Sequence, residues 1–111
     1  MKGKKVTVFK KHSEDGILLI EGKYDDLERK TGVWCEYYKT GKIAAKYRYR
    51  NGMLNGMFIS YHENGALWNT VNYVNDKKEG IFKIYNPDGE MISSCEYHND
   101  KIVNQGYYMN V

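Results

Sequence analysis

The side chains best suited to covalent chemistry in this sequence are three histidines, two cysteines and scattered carboxylates. His12, His62 and His98 stand at three different places relative to the surrounding glycines, and none is at ligand spacing from a cysteine or another histidine. No zinc site is expected from them. Glu63, Asp88 and Asp15 fall near expected turn tips, where carboxylates ordinarily cap backbone N–H groups, and nothing selects two of them as a hydrolytic pair. The glycines lack the Lys-Ser/Thr pair that completes a phosphate-binding loop, and no serine occupies a nucleophile elbow. The expectation is no catalytic residue, cofactor, metal or small-molecule substrate. Cys35 and Cys95 lie at unrelated positions and read as thiols in a reducing cytoplasm.

What does recur is aromatic. Gly32-Val33-Trp34 leads to Tyr37 and Gly41, Gly56-Met57-Phe58 to Tyr61 and Gly65, and Gly80-Ile81-Phe82 to Tyr85 and Gly89. A further tyrosine follows each second glycine: Tyr49, Tyr73 and Tyr97. A fixed period of this length marks a repeat architecture in which each unit packs on its neighbours. Phe9, His12, Gly16 and Tyr24 form a degenerate first copy, and Gly106-Tyr107-Tyr108 restarts the pattern. The 111 residues therefore read as one domain, with repeats at about 7–31, 32–55, 56–79 and 80–105 and a capping strand at 106–111.

Each repeat predicts a β-hairpin. The first strand runs from glycine to tyrosine. A four-residue connection such as His62-Glu63-Asn64-Gly65 then ends in a glycine suited to a left-handed backbone. Gly16, Gly41 and Gly89 match Gly65. A second turn carries Asn51-Gly52, Asn75-Asp76 or Asn99-Asp100. In the second strands, apolar residues alternate with polar ones, which predicts one buried and one wet face. Antiparallel pairing puts Phe9, Trp34, Phe58, Phe82 and Tyr108 on the buried face with Tyr49, Tyr73 and Tyr97. Burying one such ring is worth roughly 1.5–3 kcal/mol. Asn69 and Ser93 interrupt the apolar set. The fold class is all-β: a single-layer antiparallel hairpin array of about four 24-residue repeats and a half-repeat.

The opposite face of the first strands carries Tyr37, Tyr61 and Tyr85, spaced as a ladder about 10 Å apart. Tyrosine is apolar and rigid with one polar tip, a favoured interface anchor, so these three and Trp68 are the candidate partner-binding residues. The alternative is that the rings cover the sheet itself.

The unit standing here as Gly56-Met57-Phe58, Tyr61, Asn64-Gly65, Leu67, Tyr73, Asn75-Asp76 and Gly80 resembles the MORN-repeat variant of many bacterial proteins. Small proteins of such repeats resemble the YwqK-type family, described as antitoxins or immunity partners of toxins. The resemblance implies a MORN-like β-sheet array, a cytoplasmic site of action and a protein partner, and it implies no catalytic residues. Asp76 and Asp100 depart from the family's glycine, as Asn104 departs from the period. Classical MORN repeats are linked to lipid head groups, but their unit differs in spacing.

A non-enzymatic inhibitor of a protein toxin or nuclease is the favoured expectation, and a phage-borne inhibitor of a defence protein would share its mechanism. A scaffold or homodimer joined through an edge strand is the second. Nucleic-acid or membrane-surface binding through the lysine-rich start, Lys46, Arg48 and Arg50, with stacking tyrosines, is the third. The net charge of only +3 and the interleaved Glu28, Glu36, Glu90 and Glu96 argue against it. The lysine-rich start (Lys2, Lys4, Lys5, Lys10, Lys11) reads as protection of an edge strand. No secretory signal or membrane span is read from the N-terminus or from Ile17-Leu18-Leu19-Ile20.

Overall fold

The computed structural model describes the backbone of residues 5–108 and the side chains of residues 5–106. Lys2, Lys4, the Tyr108 side chain and residues 109–111 of the expected capping strand lie outside the described residues.

Ten strands form one open antiparallel sheet: β1 (Thr7–His12), β2 (Leu18–Tyr24), β3 (Lys30–Tyr37), β4 (Ile43–Arg50), β5 (Met53–Leu54), β6 (Gly56–Tyr61), β7 (Leu67–Val74), β8 (Lys77–Tyr85), β9 (Met91–His98) and β10 (Lys101–Tyr108). Spatial order follows chain order, with the short β5 pairing only β4. There is no helix among the described residues, and the molecule is a slab of 54 × 36 × 20 Å.

Two turn chemistries alternate from β3 onward; the β2–β3 turn, where the Asp25 N–H donates to the Arg29 carbonyl and Glu28 stands at φ 61°, is of the first kind. At the first, the N–H of Gly65 donates to the carbonyl of His62 (2.9 Å) and the N–H of His62 to that of Ala66 (2.8 Å). The same pair of bonds closes the turns at Gly16, Gly41 and Gly89. This is a type I turn with a glycine bulge, and φ at Gly65 is +91°. The strand ends at Tyr61, where the sequence reading ends it, and the His62–Ala66 bond closes the connection beyond it. Pro87 sits at the second turn position, where its fixed φ fits and no N–H is required.

The second turn is the two-residue type I′, with both central residues left-handed: Asn51-Gly52, Asn75-Asp76 and Asn99-Asp100. Asp76 and Asp100, at φ 71°, stand where the preceding repeat has Gly52. Their carboxylates accept the backbone N–H of Leu54 (2.7 Å) and Lys78 (3.1 Å), one repeat earlier. That local bond offsets the steric cost of the left-handed backbone.

The first strands differ from the sequence reading in their start. β3 and β8 begin before the repeat glycine, at Lys30 and Lys77, because the tight turn delivers the chain straight into the ladder. Gly32 and Gly80 are thus interior and Gly56 opens β6; all three have positive φ, and each faces a tyrosine across the strand pair: Gly32↔Tyr49, Gly56↔Tyr73, Gly80↔Tyr97.

Register assigns the inner face. Phe9↔Gly22, Trp34↔Tyr47, Phe58↔Val71 and Phe82↔Cys95 are direct pairs, and paired residues share a face. In each repeat the leading ring packs on the tyrosine that closes the unit: Phe9–Tyr24 (5.8 Å), Trp34–Tyr49 (5.8 Å), Phe58–Tyr73 (6.1 Å) and Phe82–Tyr97 (6.1 Å). The ammonium of Lys30 lies over Trp34 and Tyr49, that of Lys78 over Phe82 and Tyr97, and Leu54 packs at the equivalent place between them. The buried core is small: Trp34 (2 % exposed), Ala45, Tyr47 and Val71. Asn69 lies in an inner row with Ser60 and Ile84, and Ile84 pairs Ser93. This is the mixed row at the bulged-turn end of the face, which is why it escapes the apolar pattern. The backbone of Tyr108 pairs Ser93.

Candidate functional site: the outer face

The outer face begins with residues alternate to the rings. Cys35 pairs Lys46, Lys46 pairs Ile59, Ile59 pairs Thr70, and Thr70 pairs Lys83, so these five form one row across β3, β4, β6, β7 and β8. A second row holds Val33 opposite Arg48 and Met57 opposite Asn72. Between the rows lies a shallow groove of about 230 Å³ lined by Val33, Lys46, Arg48, Met57, Ile59 and Tyr61.

Local backbone makes the groove. β4 and β6 share only the pairs Ala45↔Ser60 and Lys46↔Ile59. Beyond them, Asn55 interrupts the strand, donating its N–H to the Arg48 carbonyl (2.9 Å). Gly56, at φ 118°, then leaves the Arg48 stem as its neighbour. The ladder resumes on β5 as Tyr49↔Leu54 and Arg50↔Met53, and beside the break the apolar side chains of β6 stay open: Met57 is 47 % exposed.

The sequence-selected residues divide. Tyr61 lines the groove. Tyr37 does not: its hydroxyl donates to the Glu21 carboxylate at 2.5 Å. That bond, followed by burial, pushes its pKa well above the ordinary phenol value. Tyr85 is half-buried at the equivalent position of the next repeat, and its carbonyl bonds His62 Nε2 at 2.8 Å. Among the described residues no ring contact joins Tyr37, Tyr61 and Tyr85. Trp68 is the extra residue of a bulge opposite Ser60-Tyr61; it is 44 % exposed and stacks on the His62 ring at 5.0 Å. Lys46 and Arg48, the cations at the groove, carry no repeat signature, so only the register reveals them beside Met57 and Ile59.

The turns fasten each repeat to the next. Tyr38 Oη donates to the Tyr61 carbonyl (2.5 Å), His62 stands one repeat later and reaches the Tyr85 carbonyl, and Asn64 Nδ2 reaches that of Pro87 (2.8 Å). These bonds use three of the side chains with chemical potential as ties. His98 Nδ1 pairs Glu79 at 2.9 Å, and this bond, with the Asn99 N–H, holds the Glu79 carboxyl below its usual range.

Both cysteines are free. Cys35 shares the outer row and Cys95 faces Phe82 on the inner face, so they point to opposite sides. No group of three metal-binding side chains gathers among the described residues. No helix among them is long and apolar enough to cross a membrane.

No curated protein and no solved structure matches the chain. The family comparison finds the MORN repeat variant at residues 30–51, 54–75 and 78–99, more than half the chain. The matched segments start 24 residues apart, at Lys30 in β3, Leu54 in β5 and Lys78 in β8, and each ends at the asparagine of a type I′ turn. With its three signature copies folded as successive hairpins of one sheet, the chain belongs to the MORN repeat variant family.

Proposed function

We propose that this protein is a non-enzymatic inhibitor that binds a protein partner, of the antitoxin or immunity type, neutralising a cognate toxin or nuclease in the cytoplasm. The supporting observation is the open outer face. Met57 stands near Tyr61, Lys46 and Arg48, and Ile81, equally exposed at 47 %, lies on β8 two residues before Lys83, while the inner face is filled by the protein's own rings. An apolar centre with one aromatic anchor and a charged rim is the usual anatomy of a contact surface. The groove is also smaller than the roughly 300–1,000 Å³ of small-molecule sites. A phage-borne inhibitor of a defence protein would use the same face.

Affinity capture from the source cell tests this, with wild type beside the Tyr61→Ala/Tyr85→Ala double variant. A discrete protein retained by wild type and lost by the variant, at unchanged melting temperature, is the expected result. If neither retains any protein, even after crosslinking, the reading fails. If the variant melts outright, these rings hold the sheet and the contact surface is misplaced.

One observation favours a second reading, self-association. Among the described strands β1 and β10 stand at the two ends of the sheet, and β10 exposes Ile102 and Val103. Light scattering at two concentrations measures it.

A further inference from the structure

We propose that the groove between β4 and β6 receives a short acidic segment of the partner protein that also carries a large apolar side chain. This inference rests on the inhibitor reading above and specifies what its partner presents.

Charge supports it first. Lys46 and Arg48 are both exposed, alternate on β4 and project from the same face. Side chains two residues apart on a strand are about 7 Å apart, so carboxylates at alternate positions of an extended segment match their spacing. Arg48 presents a planar fork that takes a carboxylate in two parallel bonds, and Lys46 offers a point charge. The nearest carboxylates on this face are Glu21, beyond Cys35 in the Lys46 row, and Glu79, beyond Asn72 in the Met57 row, where His98 holds it. Glu36 faces inward and accepts the Tyr47 hydroxyl (2.5 Å), while Glu21 is taken up by Tyr37. Lys83, two strands beyond Ile59 in the same row, extends the positive zone.

The apolar requirement comes from β6. Met57 and Ile59 lie between these cations, with Val33 on one side and Tyr61 at one end. A purely anionic ligand would leave them facing water. Covering them excludes water from the flanking ion pairs, the condition under which a contact charge contributes most. The zone is also bounded: Glu79 closes the Met57 row on β8, and Glu96 faces Ile81 on β9. From β4 to β8 is about 15 Å at the usual interstrand spacing. That suits a peptide-sized contact better than a polyanion track, and the single ring at the groove offers no series of stacking platforms.

Fluorescence anisotropy with a short labelled peptide of Asp and Leu in equal shares tests the inference, with an Asp/Ser peptide and a single-stranded oligonucleotide as comparisons. Wild type is expected to bind the Asp/Leu peptide, and to lose about tenfold in affinity as salt rises from low to several times physiological. Lys46→Glu/Arg48→Glu should abolish binding, and Lys46→Gln/Arg48→Gln should weaken it and flatten the salt dependence. Met57→Ser/Ile59→Ser should weaken it with the salt dependence kept. Equal binding of the Asp/Ser peptide or the oligonucleotide overturns the proposal, as does undiminished binding by the charge-reversed variant. Cell capture separates the two readings. A partner retained by the charge-reversed variant sinks the groove and leaves the inhibitor standing. Peptide binding without any captured protein does the reverse.

Discussion

Gly22 has no side chain because the indole of Trp34 occupies the space where one would begin. A Cβ there would lie 2.0 Å from Trp34 Cδ2, and the other repeats place Tyr47, Val71 and Cys95 at this position. Gly22→Ala must displace the most buried ring of the sheet, and a destabilisation of about 1–3 kcal/mol in urea unfolding is expected. Phe58→Ala removes the ring that stacks on Tyr47 at 4.9 Å and should cost about 3 kcal/mol in the same measurement. Tyr47 gives a pH signature. Burial first, then its bond to Glu36, raises its pKa above the ordinary 10.0. A raised folded-state value means stabilisation that is complete below pH 10 and lost as pH climbs past it. Unfolding above pH 10 should therefore coincide with a step in phenolate absorbance, and Tyr47→Phe should shrink that step. The ring positions were legible because the same residue type recurs at one place in every copy. Gly22 was not, since its counterparts share no identity, and only the size of its neighbour explains it.

At the scale of strands and turns, the two kinds of hairpin connection differ in how openly they were written. Gly16, Gly41, Gly65 and Gly89 announce theirs, because a left-handed residue after a type I turn favours glycine. Asp76 and Asp100 looked like departures, since their compensating acceptor role involves Leu54 and Lys78, 22 residues earlier. Asp76→Ala keeps the left-handed backbone and removes the bond, and about 1 kcal/mol should be lost on thermal or urea unfolding. Asp76→Gly should lose less, because glycine adopts that φ freely. Glu79 supplies the acid limb. Its carboxyl is held below the ordinary value by His98 and the Asn99 N–H, so its contribution is present above that value and disappears as pH falls through the folded-state one. Glu79→Gln should flatten the loss of stability below about pH 4.5, followed by circular dichroism. The groove was half legible: alternation put Met57, Ile59 and Tyr61 together, but which cations stand beside them depends on the register of β4 against β6, a pairing across strands.

Across the whole molecule the core is uneven. Trp34, Ala45, Tyr47 and Val71 are buried, and no described residue after Val71 is. Hydrogen exchange should show β9 and β10 opening at lower free energy than β3, β4 and β7, since few apolar contacts shield them. The repeat made the architecture readable from period alone, and for the same reason it says little about the partner: residues that recur serve the sheet, whereas Lys46 and Arg48 belong to one copy. The ties between units have a mechanical outcome. Tyr38, His62 and Asn64 grip the following hairpin, the type I′ turns grip the preceding one, and the sheet order never joins distant units. Under tension applied to its two termini, such a slab has no clasp that must yield for all at once. Hairpins should peel from an end in turn, giving a sawtooth trace whose steps lengthen the chain by roughly 80 Å, the extended reach of one 24-residue unit.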